Sequence, residues 1–209
     1  VDLILVRHAE PVRLEDVPDG ADPHLSDVGV GHARRVGAWL AEEAVDHIVT
    51  SPLLRARETA APLAERLGLT PEVLEGIGEF DARDSSYIPF EEMPRDHEKW
   101  EAMVNGTWTD IEGWMDPKAF ERQVVDAMEG VVTANPGRRV AVFTHGGVIN
   151  VYLAHVIGTR RTLWFYPGYT SIHRVTAART GERSVASVNE TPHLQGERLA
   201  ALGGSEALP

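Results

Sequence analysis

Residues 3–6, Leu-Ile-Leu-Val, form a continuous apolar run that stops abruptly at Arg7, His8 and, after Ala9, Glu10. A run without polar alternation predicts a strand buried on both faces, as in the middle of a parallel sheet. Residues 139–144 repeat the pattern, Val-Ala-Val-Phe leading into Thr144, His145, Gly146 and Gly147. Shorter strands are predicted at 47–50 and 73–74. Between them, Val36, Leu40 and Ala44 recur at helical spacing and predict a helix over about 28–43, with Ser26 or Asp27 as N-cap. A second helix runs over 53–67 and is closed by Gly68 in the left-handed conformation. A third covers 117–134, with Pro117 at its first position and Phe120, Val124, Val125, Met128, Val131 and Val132 on its apolar face. A fourth, 148–157, follows the second histidine. Strands at 171–177 and 183–189 form a hairpin around Thr180-Gly181. Strands alternating with helices in this way predict an α/β protein.

Two stretches break the alternation. Residues 11–23 are rich in Pro, Asp and Gly and read as loop. Residues 80–115 are irregular and carry Tyr87, Phe90, Trp100, Trp108 and Trp114. They are expected to form a small capping insertion over the sheet edge, with a short helix near 92–104 and aromatics serving the core. No repeat or linker divides the chain, so one domain over 1–209 is expected, with a frayed tail beyond 195.

Composition narrows the function. The 209 residues suit one domain, and a hydrophobic fraction of 43% with 25% charged is ordinary for a globular protein. The formal charge of −12 opposes nonspecific binding to nucleic acid or an anionic membrane. It leaves room for an anionic small molecule held by a local cluster of cations. With no cysteine, disulfides, thiolate metal sites and cysteine nucleophiles are excluded. No stretch reads as a signal h-region, and the apolar residues of 148–157 fall short of the ~20 that a membrane span needs. A cytoplasmic protein without membrane partners is expected, as monomer or homodimer.

In open α/β sheets ligands bind beyond the carboxyl ends of the strands. Arg7 and His8 stand at one such end and His145 at another. Arg55 lies in the first turn of a helix, where a cation opposes the helix dipole. That placement is explained if an anion binds there; the bland alternative is a surface helix with an Arg–Glu pair. Two arginines, two histidines and helix-end amides suit a tetrahedral dianion, since guanidinium forks pair with phosphate oxygens. A neutral histidine can also attack phosphorus, and the leaving alkoxide then needs a proton donor. Glu79, in a glycine-flanked turn, is the best-placed carboxylate, with Asp81 and Asp84 behind it. His24, His173 and Tyr169 are candidates for the mouth of the site. The nine histidines contain no His-Glu-x-x-His pattern, and no metal or other cofactor is expected.

Four segments carry a resemblance. Arg7-His8-Ala9-Glu10, Leu25-Ser26-Asp27-Val28-Gly29, the stretch Thr50-Ser51-Pro52-Leu53-Leu54-Arg55-Ala56-Arg57-Glu58-Thr59, and His145-Gly146-Gly147 resemble, in order, the motifs of the histidine phosphatase (phosphoglycerate mutase-like) superfamily. The similarity spans residues 2 to about 194. It implies a three-layer sandwich, a mainly parallel central sheet flanked by helices, and no metal. It implies His8 as the phosphorylated nucleophile and Glu79 as general acid/base. Arg7, Arg55, His145 and Gly146 would bind the phosphoryl group of a small phosphate ester, with His145 a third catalytic residue that stabilises the group in transfer. Ala9 stands where the family usually has glycine. Arg13 and Leu14 replace a Trp-Asn pair common in the mutases, so Arg13 is a candidate substrate contact. Residues 84–89 replace a Gly-x-Trp-x-Gly-like stretch. The missing motif between Glu10 and Leu25, with a chain short for the mutases, favours a phosphomonoesterase over a phosphoglycerate mutase, and the change at 84–89 bears on the substrate class and on Glu79 more than on His8. A binding protein of the same fold would have no need of a nucleophile and an acid together.

Overall fold

A computed structural model describes residues 1–17, 20–89, 92–105, 111, 114–159, 161 and 163–195. The chain runs β1 (Asp2–Arg7), α1 (Asp27–Leu40), β2 (His47–Thr50), α2 (Leu54–Leu67), β3 (Glu72–Val73) and α3 (Glu98–Asn105). It continues through α4 (Pro117–Ala134), β4 (Arg139–Thr144), α5 (Gly146–Ile157), β5 (Ile172–Ala177) and β6 (Arg183–Glu190). The six strands form one sheet in the order β3-β2-β4-β1-β5-β6. The first four of these are mutually parallel, while β5 and β6 add an antiparallel margin.

Alternate residues of the central strands serve two different cores. Leu3, Leu5, Val140 and Val142 pack with Phe120, Val124 and Met128 of α4 and Ile149 and Tyr152 of α5. Ile4, Val6, Ala141 and Phe143 point the other way, onto Val36 and Leu40 of α1 and Ala60 and Leu63 of α2. Each face of the sheet is thus covered by helices, which makes the three-layer sandwich. It also explains the unbroken apolar runs: a strand covered on both sides has no solvent face to keep polar. Each buried Val, Leu, Ile, Phe or Met side chain among them contributes ~1.5–3 kcal/mol by leaving water.

Element ends follow local chemistry. Ser26 caps α1, accepting the Gly29 amide at 3.0 Å. The helix stops earlier than the periodicity predicts, because residues 41–43 tighten into a 3₁₀ turn that ends on Ala44 at φ 50°. Gly68, at φ 64°, closes α2 as expected. Asp116 caps α4 ahead of Pro117. The short helix of the 80–115 region begins at Glu98 rather than near 92, after turns closed on the carbonyls of Pro89 and Pro94. The third strand is Glu72–Val73, one residue early. The fourth long helix begins at Gly146, so both glycines lie in its first turn. Phe90, Trp108 and the tail beyond 195 lie outside the described residues. Among the described residues, no helix is long and apolar enough to cross a membrane.

Candidate active site

Register builds the site. Arg7 of β1 pairs with Thr144 of β4, and the next amide, that of His8, donates to the Thr144 carbonyl at 2.8 Å. Thr50 of β2 pairs with Phe143, and the Ser51 amide donates to the Phe143 carbonyl at 2.9 Å. Three adjacent parallel strands therefore deliver Ser51, His145 and His8 side by side at their carboxyl ends. The two imidazole centroids are 5.1 Å apart.

His8 is 2% exposed, and its Nδ1 lies 2.8 Å from the Ala9 carbonyl. A carbonyl only accepts, so Nδ1 carries the proton and donates it, and the lone pair of the neutral ring is on Nε2. Burial, then the charges of Arg55 and Arg7, hold the pKa well below 6.5 and keep the ring neutral. The Ala9 amide donates to Thr59 Oγ1 at 2.9 Å, and that hydroxyl donates to the Arg55 carbonyl at 2.6 Å. The end of β1 is thereby fastened to the first turn of α2. Ala9 is not among the residues with positive φ, so alanine in place of the family's glycine carries no backbone strain.

Arg55 is buried at 1% exposure, against carboxylates that only partly compensate it. Its Nη1 is 3.7 Å from Asp22 and its Nη2 3.8 Å from Asp81, beyond hydrogen-bond range, and its Cζ sits 4.7 Å over the Tyr87 ring. Nε and Nη1 have no hydrogen-bond partner among the described residues. Spare donors on a buried guanidinium are costly unless a ligand oxygen meets them. The amide at the start of α2 is not open to such a ligand. Asp22 takes the Leu54 amide, at 2.8 and 3.0 Å, as an external cap. Arg7 is braced differently: Nη1 donates to Tyr166 Oη at 2.8 Å and to the Pro167 carbonyl at 2.6 Å, with Cζ 4.1 Å over the Tyr169 ring.

His145 is fully buried, with Nε2 2.7 Å from Ser51 Oγ. Its Nδ1 has no partner among the described residues. When the Ser51 hydroxyl donates to Nε2, the imidazole proton sits on that Nδ1. Burial first, then Arg55, His8 and Arg7, lower its pKa well below 6.5.

Glu79 is held from α5 and from its own turn: Oε2 accepts the Gly147 amide at 2.8 Å, and Oε1 accepts the adjacent Phe80 amide at 3.2 Å. Loss of hydration, then the neighbouring charge of Asp81, push its pKa up to about 7. The two glycines accordingly differ. The Gly147 amide is taken by Glu79, and a Cβ there would lie 2.2 Å from Glu79 Oε1 and 2.9 Å from the Phe80 ring. Glycine at 147 gives the carboxylate room, whereas at Gly146 a Cβ meets nothing closer than 3.7 Å.

Arg7, His8, Arg55, Glu79 and Gly146 line one cavity of about 560 Å³. Tyr169 stands beside it, its ring 5.7 Å from that of His8. Arg13 does not line this cavity; it pairs with Glu15 and lies 3.9 Å from Glu92. His24 also points elsewhere, bonded to Glu58 at 2.8 Å with a 73% exposed side chain. His173 is buried behind the site: its Nδ1 accepts the Asn189 amide, its Nε2 meets Ser171, and burial takes its pKa down to about 3. Asp84 is committed to Lys99, to the Trp114 indole and to the Ser86 amide, and its charge adds to the burial that raises the pKa of Asp81. Sequence reasoning missed Asp22, Tyr87 and Tyr166. Each sits in a loop without periodicity, and only the partner arginine gives it meaning. Among the described residues, no group of three or more His, Asp or Glu side chains is placed to hold a metal ion.

Comparison with known proteins agrees with this geometry. A curated relative from Yersinia pestis (strain Pestoides F), named "Probable phosphoglycerate mutase GpmB", is 24% identical over 166 residues, 76% of this chain and 75% of its own. The fold is shared with Bacillus stearothermophilus YhfR, with a TM-score of 0.78 at 22% identity over 93% of this chain and 99% of that one. It is shared also with a phosphoserine phosphatase from Entamoeba histolytica crystallised with phosphoserine, with a TM-score of 0.74 at 23% identity over 92% and 98%. The model of the histidine phosphatase superfamily (branch 1) matches residues 3–191, and the chain belongs to that family.

Proposed function

We propose that the protein is a phosphomonoesterase working through a phosphohistidine on His8. Family membership supports a phosphatase or a mutase. The observation that carries the phosphohistidine step is the bond from Nδ1–H of His8 to the Ala9 carbonyl, which leaves the Nε2 lone pair as nucleophile. Nε2 attacks phosphorus as the ester P–O bond breaks. Protonated Glu79, poised near pH 7, gives its proton to the departing alkoxide. In the second step the Glu79 carboxylate takes a proton from water, whose oxygen attacks phosphorus. The P–N bond breaks, inorganic phosphate leaves, and His8 is restored. Arg7, the spare donors of Arg55, His145 Nδ1 and the Gly146 amide hold the phosphoryl oxygens, fixed before reaction and shielded from water. Ile88, Met93, Met103 and Trp114 of the 80–115 segment cap the leaving-group side.

The test is hydrolysis of 4-nitrophenyl phosphate in excess chelator, with rapid-quench detection of an acid-labile, base-stable phosphoenzyme. Turnover that survives the chelator, with both turnover and phosphoenzyme lost in His8→Ala, is the expected result. Turnover that the chelator removes, or that His8→Ala retains, would overturn the reading.

A further inference from the structure

We infer that the leaving-group half of the cleft takes an apolar, aryl- or alkyl-sized alcohol rather than a sugar acid, an amino acid or a polyol. This rests on the phosphatase reading and adds the substrate class. Beyond the charged end around His8, the cavity is lined from the 80–115 segment by Ile88, Met93, Met103 and Trp114. The loop after α5 contributes Leu163, Trp164 and Phe165. At about 560 Å³ the space lies within the ~300–1,000 Å³ typical of sites for drug-sized ligands. A phosphoryl group carrying a three-carbon acid would leave much of it unfilled.

The polar tips of these walls are spent elsewhere. The Trp114 indole N–H donates to Asp84 at 2.8 Å, and the Trp164 indole N–H to the Asn150 carbonyl at 3.3 Å. Asn150, the one carboxamide lining the cavity among the described residues, is saturated. Its Nδ2 donates to the Gly146 and Phe165 carbonyls, and its Oδ1 accepts the Trp164 and Phe165 amides. What these residues turn to the leaving group is therefore ring carbon, thioether and aliphatic surface, and the hydroxyls among the described lining residues, those of Tyr87 and Tyr166, belong to the rings beside Arg55 and Arg7 at the charged end. A hydroxyl, ammonium or carboxylate placed there loses water without gaining a partner. The carboxylates that line the cavity, Glu79 and Asp81, lie at the charged end, beside Gly147 and Arg55. Arg161, at an exposed position, is the only further cation among the described lining residues. The two methionines adapt their shape to different apolar groups, so breadth within the class is expected.

The experiment compares alkyl esters of similar intrinsic reactivity. For benzyl and n-hexyl phosphate, kcat/KM should exceed that for glycerol 3-phosphate and 3-phosphoglycerate by ~10-fold or more. Met93→Asn should lower the apolar esters selectively, with an unchanged thermal melt certifying its fold. A preference for glycerol 3-phosphate or 3-phosphoglycerate, or 3-phosphoglycerate turnover that Arg161→Ala abolishes, would overturn the inference. Calorimetric binding of benzylphosphonate against 2-carboxyethylphosphonate makes the same comparison without turnover. Tighter benzylphosphonate binding in a protein that hydrolyses no ester would overturn the phosphatase reading and leave only the apolar ligand class of the cleft. Equal or tighter binding of the carboxylate would overturn this one alone.

Discussion

Glu79 and Gly147 are fitted to each other: the carboxylate accepts the Gly147 amide at 2.8 Å, and the space a Cβ would need at 147 is already held by Glu79 Oε1, 2.2 Å away. Gly147→Ala must therefore displace the carboxylate or the first turn of α5. Overpacking of this kind costs ~1–3 kcal/mol. The expected outcome is a modest loss of thermal stability with a larger loss of kcat, of ~10²-fold, as the proton donor leaves its position. Gly130→Ala is the control for a plain glycine effect. It lies in the interior of α4 with nothing within 4 Å of the added Cβ. That change should stabilise by ~0.5–1 kcal/mol at unchanged kcat. Melting curves and steady-state kinetics on the pair decide the matter.

Glu79 also sets the pH dependence. Its pKa is raised to about 7, so the acid form is populated below that pH and lost above it. His8 is held well below 6.5, so the nucleophile stays neutral through this range and protonates only in acid. The profile of kcat/KM should fall on the alkaline side near pH 7, and on the acid side only well below 6.5. Glu79→Gln should remove the alkaline limb. It should also cost alkyl esters ~10²–10⁴-fold, and 4-nitrophenyl phosphate much less, because nitrophenolate needs little protonation. An alkaline limb that persists in Glu79→Gln would assign it to another group, Asp81 first.

The contrast between what the chain discloses and what it conceals follows from range. Leu3 to Val6 disclosed a central strand because a strand covered on both faces must be apolar at every position. Arg7, His8, Arg55 and His145 were legible because their places at strand and helix ends are local facts. Arg13 and His24 show the limit. Both lie between recognisable segments, and in the structure they are paired with Glu15 and Glu58 and are not among the residues lining the cavity. Asp22 and Tyr87 show the converse, since their meaning comes only from the guanidinium of Arg55. Glycine at 147 makes way for Glu79, a contact across 68 residues of chain that no local pattern encodes.

Arg55 makes the last prediction, one in which stability and function part company. Its guanidinium is buried with two nitrogens unmet among the described residues, and its carboxylate neighbours stand at 3.7 and 3.8 Å. Removing one member of a buried pair is ordinarily destabilising because it strands the other. Here neither partner is stranded. Asp22 keeps the Leu54 amide and is 41% exposed, and Asp81, its pKa already raised by burial, can take up a proton. Arg55→Met gives up the guanidinium over the Tyr87 ring, keeps an apolar side chain in the buried space and removes an expensive charge. The unliganded variant should melt at or above the temperature of the native chain. Ligand linkage should move the opposite way. The native chain gains ~2.7 kcal/mol with orthovanadate at a hundred times its Kd, a rise of ~5–10 °C for a domain of this size. In Arg55→Met that rise should vanish. Melting curves with and without vanadate measure both quantities. A variant several degrees less stable without ligand, yet still shifted by vanadate, would make Arg55 a structural ion pair and leave the phosphoryl group to Arg7 and His145.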